Sequence, residues 1–248
     1  MFVAASTRCF ADLDFADACF QLGELEFDKV EVWMCDDGGH MKPSEIAADP
    51  ESFATVFRET TRLTPIAICL EEDVGVETLK GICKFAKLLR VAQITIPASP
   101  LGTPFNTEID RLREQLAVAS HDGIRLSLKT KSGCLTEDPH TAVELCQAVR
   151  NLGLTLDPSY YVCGVNRGKS YDQVFPYVYH VHLRDTTPDE LQVPTGLGEV
   201  DYSRLINQLE RQQYNLAMTV ELLPELLPDK ETRPLEMRKL RMLLDTLL

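Results

Sequence analysis

The chain has 248 residues, of which 44% are hydrophobic, and its formal net charge at pH 7 is −13. This apolar fraction is ordinary for a globular protein and suffices for a large core. The excess of acidic residues excludes nucleic acid and anionic membranes as main partners, because both require a basic surface.

The eight cysteines predict neither disulfides nor a zinc site. They are scattered without any Cys-x-x-Cys pair, and several lie inside apolar runs, where reduced buried thiols are found. No basic segment followed by an apolar one opens the chain, and no stretch reaches the length of a membrane span. We therefore expect a cytoplasmic protein.

Short apolar runs alternate with longer amphipathic stretches along the whole chain. The apolar runs have the length of buried parallel strands, about five residues. They lie at residues 2–6, 29–33, 65–70, 91–97, 124–130, 153–157, 178–183 and 216–221. The helical stretches lie at residues 11–25, 44–62, 76–89, 107–120, 139–151, 170–177, 202–212 and 232–248.

This alternation, with no change of composition along the chain, predicts one α/β domain over residues 1–248, a (β/α)8 TIM barrel. A doubly wound open sheet is the alternative fold. It is disfavoured because the segment after the first strand, Ser6-Thr-Arg-Cys-Phe, has no glycine from which to build a phosphate-binding loop.

Polar residues mark the C-terminal ends of several predicted strands, which in a barrel converge on one mouth. In chain order they are Glu31, Trp33, Lys129, Lys131, Asp157, His180, His182, Asp185 and Glu221. Asp157, His182 and Glu221, from three successive strands, suit Mn, Mg, Co or Zn. Taken singly, Asp157 is better explained as a turn residue before proline, and the two histidines as hydrogen-bonded core residues. Glu221 is as well explained as a helix-cap carboxylate.

Several blocks resemble the sugar phosphate isomerase/epimerase family of xylose isomerase-like TIM barrels (AP endonuclease family 2 type). They are Phe27-Asp-Lys-Val-Glu-Val-Trp, Leu154-Thr-Leu-Asp-Pro, His180-Val-His-Leu-Arg-Asp, Gly196-Leu-Gly-Glu-Val-Asp-Tyr and Met218-Thr-Val-Glu. The resemblance implies an enzyme of sugar metabolism with a divalent metal held by Glu, Asp, His and Glu from strands five to eight. The last three ligands fall on Asp157, His182 and Glu221.

Two positions depart from the family pattern. Lys129, in Leu128-Lys-Thr-Lys, stands where the family has the first glutamate ligand, which also transfers a proton in the epimerases. Tyr160 stands three residues after Asp157, where the family usually has histidine. Lysine is a poor ligand, because it must lose its proton and its charge repels the cation.

Three arrangements around Lys129 are open. Its ammonium pairs with Asp157 and Glu221 in place of a metal, or it serves a metal-free enzyme as electrophile, acid or Schiff-base amine. Alternatively it turns aside and leaves a weak metal site of Asp157, His182 and Glu221. We favour the ion-paired, metal-poor arrangement.

The remaining candidates have plainer roles. We expect catalysis by Glu31, Lys129 and Glu221, and substrate contacts by Trp33, Tyr160, His180, Arg184 and Asp185. Glu31 and Trp33 are equally explained as structural residues, and His180 as a hydrogen-bonding residue behind the site. Arg184 binds a hydroxyl or phosphate in this interpretation, or pairs with Asp185 or Glu199. We expect Arg8 to be a solvated loop residue, and His40 to belong to a loop that closes over a ligand.

The predicted function is a sugar isomerase or epimerase that acts on a small polyhydroxylated carbonyl compound, or a lyase of the inosose dehydratase type. The alternative is a catalytically degenerate barrel that binds a sugar-like ligand or partner without turnover. An endonuclease IV-like enzyme is disfavoured by the acidic charge and by the small number of histidines, five in all. A homodimer is compatible with the resemblance, because barrels of this family often pair.

Overall fold

Eight parallel strands form a closed barrel in the computed structural model, which describes residues 1–248. Each strand pairs with its neighbours in sequence, and the first pairs with the last. The strands are β1 (Phe2–Ser6), β2 (Lys29–Met34), β3 (Thr64–Leu70), β4 (Gln93–Pro97), β5 (Arg125–Lys129), β6 (Gly153–Leu156), β7 (Val178–Leu183) and β8 (Ala217–Val220). The predicted (β/α)8 fold is confirmed, and the open sheet is excluded.

Nine helices and four short 3-10 turns connect the strands. The helices are α1 (Phe15–Glu24), α2 (Pro43–Ala48), α3 (Pro50–Thr60), α4 (Val76–Leu88), α5 (Phe105–His121), α6 (Pro139–Ala148), α7 (Ser159–Val162), α8 (Tyr202–Arg211) and α9 (Thr232–Leu247). None of them combines the length and hydrophobicity needed to cross a membrane.

The prediction of one helix over residues 44–62 was wrong, because Pro50 divides this stretch. Asp49 ends α2 and caps α3, where its side chain accepts the Ser52 N–H at 3.1 Å. Proline at the first position of a helix is favourable, whereas inside one it removes a hydrogen bond. The helix predicted over residues 170–177 was also wrong, because Asp172–Tyr177 form a 3-10 turn that contains Pro176.

The register of the last strands brings the functional candidates together. His182 of β7 lies opposite Thr219 of β8, and the Glu221 N–H donates to the Leu183 carbonyl at 3.0 Å. On the other side, the Asp157 N–H donates to Thr130 Oγ1 at 2.8 Å, just past β5. These bonds direct the strand ends toward one point at the mouth of the barrel.

Candidate active site at the barrel mouth

Glu221, directly after β8, lies at the centre of the site and is fully buried. Both of its carboxylate oxygens accept from Lys129 Nζ, at 2.6 and 2.8 Å. Arg184 Nη2 donates to Oε2 at 2.6 Å, and Arg8 Nη1 lies 3.7 Å from Oε1. A buried charge is tolerated when it is paired and hydrogen-bonded, and Glu221 has three cations around it.

Arg184, directly after β7, lies between the carboxylates of Asp157 and Glu221, two of the metal ligands that the resemblance implies. It is fully buried, and its Nη1 lies 2.7 Å from Asp157 Oδ2 while Nη2 holds Glu221. Nη1 also donates to Ser159 Oγ at 2.7 Å, and Nε donates to the Glu221 carbonyl at 3.0 Å. The alternative in which Arg184 pairs with Asp185 or Glu199 was therefore wrong.

Lys129 reaches only one of the two carboxylates predicted for it. Lys129 pairs with Glu221, whereas the cation beside Asp157 is the guanidinium of Arg184. The guanidinium reaches both carboxylates because its two terminal nitrogens lie side by side in one plane, although its contact with Asp157 Oδ2 is an ion pair without hydrogen-bond geometry.

Glu31 of β2 lies beneath this layer and binds both histidines of β7. Its Oε2 is 2.7 Å from His182 Nε2 and 2.9 Å from His180 Nε2. His180 also contacts Thr219 Oγ1 at 3.1 Å. His182 Nδ1 lies 3.2 Å from Glu221 Oε2, close enough for charge attraction but without hydrogen-bond geometry. The side chains of Glu31, His180 and His182 are all buried.

The two histidines carry different charges. Burial alone would lower the pKa of His182, but the carboxylates of Glu221 and Glu31 reverse this and raise it to about 9. For His180 burial prevails, and its pKa is lowered below the ordinary value. Burial opposes the ionisation of Glu31, yet His182 and His180 hold its pKa well below the usual range. At neutral pH the arrangement is a protonated His182 beside an ionised Glu31.

This charge state predicts a pH dependence of stability. Because the pKa of His182 is raised on folding, its stabilising contribution is complete below about pH 6.5 and is lost as the pH rises through about 9. The raised pKa corresponds to a contribution on the order of 3 kcal/mol. We expect the unfolding free energy of the wild type, measured with urea, to fall toward that of His182→Gln between these pH values. His140→Gln, at an exposed site, is the control and should leave the pH profile unchanged.

Four buried side chains lie close enough to hold a metal ion. One ligand atom from each of Glu31, Cys69, His182 and Glu221 lies within 4.8 Å of the others. Their protonation does not suit a cation, because His182 is protonated and burial raises the pKa of the Cys69 thiol well above its usual value. Glu221 is already bound by Lys129 and Arg184, whose charges repel a divalent ion. The residues present do not fit a divalent metal while Lys129 keeps this position.

Glu71, directly after β3, forms an outer layer over the site with Arg8, Trp33 and Lys131. Arg8 Nη1 donates to Glu71 Oε2 at 2.7 Å, Trp33 Nε1 to the same oxygen at 3.1 Å, and Lys131 Nζ to Oε1 at 2.8 Å. Arg8 is buried, so the expectation of a solvated loop residue was wrong. The sequence interpretation missed Glu71, although Glu71-Glu72 ends the third predicted strand as charged residues end the others.

Three further residues singled out from the sequence, Tyr160, Asp185 and His40, contact other residues of the protein. Tyr160 is buried, and its ring lies 5.5 Å from the guanidinium carbon of Arg184. Asp185 accepts from the backbone N–H groups of Gly196 and Gly198, at 2.7 and 3.1 Å, and so fixes the loop after β7. His40 packs against the rings of Phe15 and Trp33, at centroid distances of 5.8 and 6.2 Å.

The structure is an α/β barrel with a cluster of buried carboxylates, histidines and cations at the C-terminal ends of its strands. The family model described as xylose isomerase-like TIM barrel matches residues 21–242. The chain belongs to this family, as its resemblance predicted. A comparison with curated proteins gave no match.

Solved structures with the same fold cover nearly the whole chain. The probable 3-DHS dehydratase AsbF from Bacillus anthracis is 16% identical, with a TM-score of 0.73 over 99% of both chains. D-allulose 3-epimerase from Methylomonas sp. is 16% identical, with a TM-score of 0.70 over 97% of this chain and 98% of that one. A xylose isomerase-like TIM barrel protein from Mycobacterium smegmatis, in complex with magnesium, is 18% identical, with a TM-score of 0.72 over 96% and 97%. At these identities the comparison shows the fold.

Proposed function

We propose that this protein binds a small polyhydroxylated carbonyl compound at the barrel mouth, without a resident divalent metal and without the metal-dependent proton transfer of the family. It is then a catalytically degenerate relative of the sugar isomerases and epimerases. The observation that carries the proposal is the bond of Lys129 to both oxygens of Glu221.

The protonation of the site argues against turnover. A general base works best with a pKa near the operating pH, and it needs access to the substrate proton. Burial opposes the charge on Glu221, but His182 and Lys129 overcome it and hold its pKa well below the usual range. The same carboxylate lone pairs that would accept a proton are engaged by Lys129 and Arg184.

The proposed class of ligand is argued from the structural relatives of the chain. Its structural relatives include a probable 3-DHS dehydratase and a D-allulose 3-epimerase, and the name of the second denotes a polyhydroxylated carbonyl compound. The charged side chains at the mouth offer hydrogen bonds to hydroxyl groups, and those of Glu71 and Lys131 are partly exposed.

A metal-free isomerase is the second candidate, and the same ion pair favours it. The Lys129 ammonium could polarise a carbonyl while Glu221, 2.6 Å away, takes the proton from the neighbouring carbon. This chemistry requires the ligand to displace Lys129 from Glu221.

Proton exchange distinguishes the two candidates. In D2O with EDTA, we expect ketoses such as D-fructose and D-allulose to show no deuterium incorporation next to the carbonyl, as measured by NMR. The reason is that Glu221 is a weak base, with its pKa held well below the usual range, and that Lys129 and Arg184 occupy its carboxylate oxygens. Exchange that persists in EDTA and disappears in Glu221→Gln would contradict the degenerate role and establish the metal-free isomerase.

A further inference from the structure

Three side chains at the barrel mouth form a binding place for a carboxylate, which we call the carboxylate cradle: Arg8, Trp33 and Lys131. It holds the carboxylate of Glu71, with both oxygens bound and donor–acceptor distances of 2.7 to 3.1 Å. Its groups come from the ends of β1, β2 and β5, whereas Glu71 belongs to the end of β3. The occupant is therefore separable from the residues that bind it.

The cradle has supports of its own. Arg8 lies 3.7 Å from Glu221 and 3.5 Å from Glu225, and its guanidinium carbon lies 5.5 Å from the Trp33 ring centre. The backbone N–H of Trp33 donates to Thr7 Oγ1 at 3.0 Å. These contacts hold Arg8 and Trp33 in place when Glu71 leaves.

The occupant can be reached from solvent. The side chains of Glu71 and Lys131 are 17% and 33% exposed, whereas Lys129 and Glu221 below them are 4% and 0% exposed. Glu71 thus lies between solvent and the Lys129–Glu221 pair. A ligand that enters the mouth meets Glu71 first.

The charges favour an anionic ligand over a neutral sugar. Glu71 is the single ion-pair partner of Lys131, so turning Glu71 outward leaves one uncompensated cation beside Arg8. A ligand carboxylate restores the charge balance and accepts hydrogen bonds from Arg8 and Trp33 on one oxygen and from Lys131 on the other. The hydroxyl of a neutral sugar does neither. A phosphate would bring up to two charges into a place now filled by one.

We propose that the carboxylate cradle binds the carboxylate of a sugar acid, and that Glu71 is an internal competitor that occupies this place in the ligand-free protein. The inference rests on the proposed function in that it assigns the ligand class of the same barrel mouth. The hydroxyl groups of the ligand would lie over the Lys129–Glu221 pair, because Arg8 contacts Glu71 and Glu221 at once.

Trp33 reports directly on the cradle, because it is the one tryptophan of the chain and donates to Glu71. In Glu71→Ala, we expect acetate to change the Trp33 fluorescence saturably at roughly millimolar concentrations, an affinity suited to one small anion. Acetamide, which has the same shape without the charge, should leave it unchanged. The wild type should not respond to acetate at these concentrations, because Glu71 fills the cradle.

The ligand class is tested with D-glucuronate and D-glucose, which differ in the carboxylate. We expect Glu71→Ala to bind D-glucuronate about tenfold more tightly than the wild type does, since the competitor is gone. D-glucose should bind at least about tenfold more weakly than D-glucuronate in both. Glu71→Ala with Lys131→Met should lose this preference. Glu77→Ala is the control, because it also removes one carboxylate but from an exposed ion pair with Lys80, away from the cradle.

A folded Glu71→Ala that responds equally to acetate and acetamide, or to neither, would overturn the proposal. So would equal affinities for D-glucuronate and D-glucose, or tighter binding of D-glucose 6-phosphate. If Glu71→Ala does not fold, Glu71→Gln retains the shape without the charge and should still bind D-glucuronate more tightly than the wild type. All titrations use protein freed of metal by passage over a chelating resin, with no soluble chelator that could itself bind as a carboxylate, so their outcome is independent of the metal and exchange measurements that test the proposed function.

Discussion

Arg184→Met should lower the unfolding free energy by about 3–5 kcal/mol, because breaking a buried ion pair leaves uncompensated charges. The substitution retains a long apolar side chain and removes the guanidinium that joins Asp157 to Glu221. Lys129 still neutralises Glu221, but Asp157 loses its cation. Urea or guanidinium unfolding at pH 7 measures the effect.

Arg204→Met is the matched control for this measurement. Arg204 pairs with Asp172 on the surface, where both side chains are 46% exposed, and such pairs contribute less than about 1 kcal/mol. A loss in Arg184→Met no larger than in Arg204→Met would show that Arg184 does not hold the site together. It would also contradict the view that Arg184 neutralises the carboxylates of Asp157 and Glu221.

We expect Lys129→Glu to create divalent metal binding. The substitution places a carboxylate where the family has its first ligand and removes the ammonium that occupies Glu221. The variant should be less stable than the wild type in EDTA, because like charges then meet in a buried site. Saturating Mn²⁺, at about 100 times Kd, should add about 2.7 kcal/mol and raise Tm by roughly 5–10 °C.

Lys129→Met separates the two parts of that effect. It removes the cation without adding a ligand, so we expect a loss of stability and no response to Mn²⁺. Differential scanning fluorimetry and calorimetric titration measure both variants beside the wild type. If Lys129→Glu also fails to respond, Lys129 is not what separates this site from a metal centre, and Arg184 becomes the next residue to test.

The strand and helix pattern was predictable because it depends on local sequence periodicity. β1 and β7 have the predicted bounds, and the other strands differ by about one or two residues at an end. The pairing of Lys129 with Glu221 was also predictable, because both lie at the ends of strands that converge on the mouth. The family membership followed from blocks whose spacing is fixed by the barrel.

The contacts of long side chains were not predictable in the same way. Arg8 was expected in solvent, and Arg184 beside a ligand or a loop carboxylate, yet both reach inward to Glu221. The direction of such a side chain depends on which buried carboxylate lacks a cation, and this is decided by distances between strands. Glu71 was missed for the same reason, because its importance comes from donors at the ends of three other strands.

Metal analysis of the purified wild-type protein decides whether Lys129 and Arg184 take the place of the metal charge. If they do, the protein contains far less than one divalent ion per chain, and neither EDTA nor Mn²⁺ changes its Tm. About one bound ion per chain, removed by EDTA with a fall in Tm, would contradict this assignment.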